Sequence, residues 1–385
     1  MMRNWLLPEY IEDILPPQAR RIEELRRVIL DLFYAHGYQF VIPPLVEYVE
    51  SLLTGTGRDM DLKTFKLVDQ LSGRMMGLRA DITPQVARID AHLLNREGIT
   101  RLCYCGSVAH TRPSATGRTR EPLQIGAELY GHRGLESDAE VQQLMLQSLR
   151  LAGIAEIQLD LGHVGVFRSI ARRGDLSAEL EDELFGVLQS KDRPALRELT
   201  NGLDPRTGQA LMSLPDLYGG DEMLQRAAKR LPDYPEISKA LAELQAFSKE
   251  LRGKVAGVSF DLAEVRGYRY HSGVVFSAYV IGSANAIAVG GRYDEVGKAF
   301  GRARPATGFS MDLREVAALL PRKSVRSAIL APYSADAALN KKIASLREQG
   351  EIVIIDLPHE KAGTDLNCDR ILVLRNGVWE TSDLK

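Results

Sequence analysis

Apolar residues recur along this chain with two periods, and the switches between them divide it into helices and strands. After Pro16-Pro17, residues Ile22, Leu25, Ile29, Leu32 and Phe33 fall on one helical face, Arg20, Arg21, Glu23 and Glu24 lie outside it, and Gly37 supplies the stop. Residues 38–43 read as a strand closed by Pro43-Pro44, a pattern that suits a dimer seam but is also common inside single domains. Residues 63–68 and 75–79 pair as a hairpin about Leu71-Ser72-Gly73. If strand alternation runs on to Thr83, then Arg79, Asp81 and Thr83 share one face, and Pro84 opens a helix with Thr83 as its N-cap. Capping accounts for Thr83 and leaves Asp81 without a reason.

The stretch 101–131, RLCYCGSVAHTRPSATGRTREPLQIGAELYG, carries the most unusual pattern: two strands joined by a long basic loop. In the second strand Leu123, Ile125, Ala127 and Leu129 alternate with Gln124, Gly126 and Glu128. One side is apolar; the other offers an amide and a carboxylate around a residue with no side chain. That suits the floor of a pocket for a small polar ligand, with Asp81 as a second carboxylate. A solvent-facing hairpin strand would show the same alternation.

Farther on, 137–152 reads as a helix opened by Ser137 or Asp138, with Val141, Leu144, Met145, Ser148 and Leu149 inward, and 156–162 as a strand. From about 165 to 252 the chain is helical, polar and punctuated by Gly and Pro, as an insertion would be. Strands return over 255–288, followed by Gly290-Gly291, which suit a close backbone approach. From about residue 325 the order is strand, helix, strand, strand: a small α/β domain.

Composition narrows the function. A chain of 385 residues has room for two or three domains. With 49 Lys and Arg against 51 Asp and Glu, the net charge of −2 excludes a broadly cationic nucleic-acid surface and leaves only local basic patches. No apolar run reaches the roughly 18 residues of a membrane span, and acids and prolines interrupt the first residues, so neither a span nor a signal peptide is expected. Cys103 and Cys105, with only a distant Cys368, lack zinc-ligand spacing and read as reduced thiols in a cytoplasm. No metal or other cofactor is expected.

Taken in order, LRADIT (78–83), QIGAELYG (124–131), RGYRYHSGVVF (266–276), GGRYD (290–294) and ATGFSMDL (306–313) resemble the catalytic core of histidyl-tRNA synthetase, a class II aminoacyl-tRNA synthetase. The resemblance implies an α+β fold over 1–320: a six-stranded antiparallel sheet flanked by helices, interrupted by the helical block at about 165–252, and dimerising near Pro43-Pro44. Residues 325–385 would follow as a small α/β domain. It also implies a histidine pocket. Asp81 and Thr83 match the pair that holds the ammonium, with Asp where the synthetases usually carry Glu. Gln124 and Glu128 match the floor, and Arg266 matches the arginine that meets the carboxylate. Tyr270 matches the first of two tyrosines, and His271 replaces the second.

The match fails where ATP would bind. The loop reads Ser107-Val108-Ala109-His110-Thr111-Arg112 in place of the synthetases' arginine and glutamate clamps. Glu315 stands where a second clamping arginine belongs, and Arg314 points about 100° away around a helix. A carboxylate there opposes nucleotidyl transfer, which depends on positive charge at the developing negative charge. Arg112, Arg118 and Arg120 remain as candidate anion-binding residues or as solvated loop charges. These departures, with an RNA-reading domain cut short, are similar to the family of ATP phosphoribosyltransferase regulatory subunits. That resemblance implies a chain that catalyses nothing, binds no tRNA, and joins a short-form catalytic subunit in a hetero-octamer. It would serve the first step of histidine biosynthesis and bind L-histidine at Asp81, Thr83, Gln124, Glu128, Arg266, Tyr270 and His271 for feedback inhibition. An active synthetase-like, adenylate-forming enzyme and an amino-acid-sensing dimer with another partner are the alternatives.

Overall fold

The structure, a computed structural model, describes residues 5–55, 58–115, 117–264, 270–321, 327–358 and 368–384. Its first helix, Pro16–Ala35, buries Ile22, Leu25, Ile29 and Phe33, the face marked by the apolar period. Gly37, at φ +80°, turns the chain out of it. Of 38–43 only Gln39–Phe40 pairs as a strand. Prolines 43 and 44 have no N–H for a ladder, and the Pro43 carbonyl instead accepts from Arg79 Nη1 at 2.7 Å.

Strands Phe65–Val68 and Met75–Leu78 form the expected hairpin, joined by Val46–Tyr48 into a three-stranded sheet. Asp69 closes the turn by accepting from the N–H groups of Leu71 and Ser72. Strand pairing stops at Leu78, short of Thr83. The next helix, Thr83–Arg88, has Ile82 as its N-cap, so Thr83 does not cap it. The Asp81 carboxylate accepts from the Thr83 N–H at 3.1 Å and takes over that duty.

Six antiparallel strands make the centre of the main sheet, in the order Thr100–Ser107, Leu123–Tyr130, Ala306–Asp312, Ala288–Arg292, Val274–Val280, Ile157–His163. The expected six-stranded core is present within a larger, mixed sheet of nine. Gln39–Phe40 extends one edge in parallel; Gly257–Asp261, parallel, and Tyr218–Gly219, antiparallel, extend the other. The added strands cover backbone edges that would otherwise stand open.

Both faces of the 123–130 strand are buried, which removes the solvent-facing reading. Ile125, Ala127 and Leu129 join Ile29, Phe33, Leu144 and Met145 beneath the helices Pro16–Ala35 and Leu135–Leu151. On the opposite face Tyr130 packs with Leu102, Tyr104, Ile82, Val86 and Tyr293. The helical block contributes Leu184, Leu188, Leu211, Leu244 and Phe247 to the first of these clusters, so it is built onto the core. The chain divides into two compact units only after Leu320. In the second unit, strands Ala328–Pro332, Val353–Asp356, Cys368–Arg375 and Val378–Asp383 share a sheet with the helix Ala337–Glu348. Its last strand was not anticipated, although Asn376-Gly377, both at positive φ, is a strong hairpin signal. Among the described residues no helix is long and apolar enough to cross a membrane.

Helix Leu135–Leu151 starts from Gly134, not from Ser137 or Asp138. Those two are engaged by Arg292, whose Nη2 donates to Asp138 Oδ2 at 2.6 Å and Ser137 Oγ at 2.9 Å. A second buried pair joins Arg304 Nη1 to both oxygens of Asp90, at 2.9 and 3.0 Å. Removing one partner of such a pair leaves the other charge dry. Asp138→Ala should therefore lower stability by about 3–5 kcal/mol, measured by urea unfolding; a loss below about 1 kcal/mol would show that the surrounding carbonyls satisfy Arg292 unaided.

Candidate functional site

Sheet register assembles the site. Leu102, Glu128, Gly308 and Gly291 stand in one row across four strands, and Tyr104 and Gly126 face each other in the adjoining row. The glycines make this surface a floor. A methyl group on Gly308 would overlap the Glu128 carboxylate, one on Gly126 would strike the Tyr104 hydroxyl, and one on Gly291 would strike the His271 ring.

Glu128 is only 1% exposed. Tyr104 donates to its Oε1 at 3.0 Å and Tyr293 donates to its Oε2. Among the described residues no Lys, Arg or His forms an ion pair with it. Burial pushes its carboxyl up to about 8; the two tyrosine hydrogen bonds oppose that rise and the negative charge of Asp81 adds to it. The same desolvation, beside these carboxylates, holds Tyr104, Tyr130, Tyr270 and Tyr293 well above the ordinary tyrosine range, so all four stay hydroxyl donors.

Asp81, half-buried, sits at the other end. Gln124 Nε2 donates to its Oδ1 at 2.8 Å, while Gln124 Oε1 accepts from the Ile82 N–H at 2.9 Å. The Thr83 hydroxyl lies 3.0 Å from the Tyr104 hydroxyl, which donates to Glu128, while the Thr83 backbone N–H donates to Asp81, so one residue stands between the two carboxylates. Tyr270 lies with its ring centroid 4.9 Å from that of Tyr293 and edge-on to His271 at 5.4 Å. The buried Tyr270 hydroxyl has no hydrogen-bond partner among the described residues, an orphan at the wall of the pocket. Arg266 lies outside the described residues.

Asp81, Thr83, Gln124, Glu128, Tyr270 and His271 thus converge on one floor. Sequence reasoning missed Tyr104, Tyr130 and Tyr293. Tyr293 stands inside the GGRYD segment, whose glycines drew attention away from it. Tyr104 acquires its place only through a strand register that the long loop hides. Arg79 was expected on the face of Asp81. Instead it is buried, donating to the Ser107 and Pro43 carbonyls. A separate cleft of roughly 710 Å³ is lined by His163, Lys239, Glu243, Arg292 and Pro305, and none of Asp81, Thr83, Gln124, Glu128, Tyr270 and His271 lines it.

Comparison with known proteins places this geometry in a family. A histidyl-tRNA synthetase family model matches residues 10–316, and a model of the ATP phosphoribosyltransferase subunit HisZ C-terminal domain matches 326–382. An ATP phosphoribosyltransferase regulatory subunit of Nitrosospira multiformis is 61% identical, over 99% of each chain. The chain belongs to the ATP phosphoribosyltransferase regulatory subunit family. A Ralstonia pickettii protein of the same name is 59% identical over 98% of each chain. A solved ATP phosphoribosyltransferase regulatory subunit/histidyl-tRNA synthetase from Bacillus halodurans C superposes with a TM-score of 0.82, at 27% identity and covering 94% of this chain and 95% of that one. The histidyl-tRNA synthetase of Nostoc sp. PCC 7120 (TM-score 0.74, 19% identity, 96% and 91% covered) shares the fold.

Within this regulatory-subunit family member, Arg118, Arg120, Arg314 and Glu315 all have partners inside the chain. Glu315 meets Arg118 Nε at 2.7 Å, both half-buried, and Arg118 Nη2 donates to the Ala286 carbonyl at 2.6 Å. Arg120 donates to the His110 carbonyl at 3.1 Å and lies over the Phe65 ring; Arg112 is exposed. His110 Nε2 lies 2.9 Å from the Ala80 carbonyl, and burial holds its pKa below the usual histidine value. Arg314 is taken up by Glu12 and the Glu121 carbonyl.

The folded Glu128 keeps a proton that the unfolded chain gives up above about 4.5. Stability should therefore fall as pH rises from about 4.5 to about 8, by at most ~1.4 kcal/mol per pH unit, and level off above. Glu128→Gln should flatten that fall in thermal unfolding midpoints taken at intervals across the window. Parallel curves for parent and variant would show that another group titrates.

Proposed function

We propose that this chain binds L-histidine in the pocket between Asp81 and Glu128 and passes that occupancy to a catalytic partner as feedback inhibition. The chain is a regulatory, non-catalytic subunit of ATP phosphoribosyltransferase, acting in histidine biosynthesis. The observation that carries the histidine reading is a pair of carboxylates of unlike burial on one glycine floor. Half-buried Asp81, with Gln124 and Thr83 beside it, suits an ammonium that keeps some water. Dry Glu128, walled by the Tyr270 and Tyr293 rings, suits a flat ring bearing an N–H. Arg266 takes the carboxylate end on the strength of the resemblance. His271, over Gly291, closes the floor beside Glu128. Of the loop arginines, exposed Arg112 is available to an anion, whereas Arg118 and Arg120 would first have to leave their present partners.

The partner is a short-form catalytic subunit in a hetero-octamer, with this chain's core as a homodimer. Exposed Phe40, Ile42 and Leu45, beside Pro43-Pro44, support a seam there. The location is the cytoplasm. Regulation follows by linkage: histidine inhibits only as far as it binds the inactive assembly more tightly, typically by about 1–3 kcal/mol.

The test is phosphoribosyltransferase activity of the short catalytic subunit with and without this chain and histidine. The chain should activate its partner and histidine should reverse the activation. Glu128→Ala should raise the half-inhibiting histidine concentration at least about tenfold while the complex still co-elutes on gel filtration. Unchanged inhibition in that variant would move the regulatory site elsewhere, and no effect of the chain on its partner would sink the assigned role.

A further inference from the structure

The surroundings of Glu128 accept either protonation state of its carboxyl. Facing it are Tyr104 from the 100–107 strand, Tyr130 from its own strand, Tyr293, Asp81 with Thr83, and Tyr270 beside His271. Asp81 is the formal charge in this group, and it is negative; beyond Tyr130, Asp90 and Arg304 neutralise each other. Each tyrosine that donates to the carboxylate has a second oxygen within reach. For Tyr104 it is Thr83 Oγ1 at 3.0 Å, and for Tyr293 it is the Tyr130 hydroxyl at 3.4 Å. Rotation about the C–O bonds re-aims the hydroxyl hydrogens. Two donors can then serve a carboxylate, or one can turn aside to let a neutral carboxyl donate, with no heavy atom displaced.

We propose that Glu128 selects its guest by proton affinity, and that the Glu128 carboxyl and a basic ring nitrogen of the guest hold one proton between them. This deepens the histidine reading and rests on it. The empty site, with a carboxyl raised to about 8, holds that proton at neutral pH. A neutral imidazole arrives with a lone pair. As the O–H bond breaks, an N–H bond forms, and a carboxylate–imidazolium pair replaces a carboxyl–imidazole pair. The proton count is the same in both. A permanently cationic guest would instead drive the proton into solvent, and a weakly basic ring would leave it on Glu128 without an ion pair.

Calorimetric titration of the full chain with L-histidine, in buffers of differing ionisation enthalpy, counts the protons exchanged. Near pH 7 the net exchange should be close to zero. Below about pH 6, where the free imidazole is itself protonated, one proton should be released; at about pH 8.5 and above Glu128 should account for the uptake of one, beyond whatever the guest's own amino group takes up on binding as an ammonium. Thiazolylalanine, an isostere with a far less basic ring nitrogen, should bind at least tenfold more weakly at pH 7, and Glu128→Gln should lower the uptake at high pH by one proton, leaving the amino group's share. Release of one proton at pH 7 would mean that Glu128 meets a permanent cation, and uptake of one that it is ionised when empty; either overturns the shared proton. Absence of any histidine binding would overturn the pocket reading along with it.

Discussion

Taking the Glu128 carboxylate out of water with no cation paired to it among the described residues obliges its surroundings to supply hydroxyl hydrogens, because an unsatisfied buried carboxyl costs several kcal/mol. That obligation accounts for a pocket made of tyrosines. Tyr104 and Tyr293 donate to the two oxygens, and Thr83 and Tyr130 stand behind them as alternative partners. It also accounts for the floor, since the carboxylate lies where a side chain on Gly308 would be. What is left over is a Tyr270 hydroxyl with no partner among the described residues and a second carboxylate at Asp81, held by Gln124.

Such a network works only if its tyrosines stay in place, and the residues on both sides of one of them are tied down. Tyr293 follows Arg292, which is anchored to Asp138 at the start of the 135–151 helix. It precedes Asp294, whose Oδ1 accepts from Arg292 Nη1 at 3.3 Å and from the Ala306 N–H at 3.1 Å. Strand end, helix start and pocket wall are thereby made one unit. Asp138 at the helix start is joined to Glu128 through two successive residues, Arg292 and Tyr293.

The histidyl-tRNA synthetase of Nostoc sp. PCC 7120 shares this fold, so topology alone does not set what the chain does. Glu315 has its cation inside the chain, in Arg118, and burial raises its carboxyl while Arg118 opposes the rise. An arginine already neutralised and tied to the Ala286 carbonyl has little left to offer a phosphate. Asp81, Gln124, Thr83 and Glu128 stay together, whereas Glu315 and Arg118 have closed on each other.

The apolar period of the first helix, the hairpin at Gly73, and the inner face of the 135–151 helix were legible because each is a local matter of spacing and turn chemistry. The resemblance carried by the order of short motifs named Asp81, Thr83, Gln124, Glu128 and Tyr270, and the structure brings these five side chains near one another. Sequence alone could not place Tyr104 and Tyr293 against Glu128, because their meeting depends on cross-strand register and on a turn far along the chain. Nor could it tell that Thr83 is no cap, since the competing acceptor, Asp81, wins only once Gln124 holds it in position. Local pattern marked Asp81, Thr83, Gln124 and Glu128 as candidates but not the tyrosines around them. Tertiary packing decided their chemistry, because desolvation and the direction of each hydroxyl exist only when the strands have closed over one another.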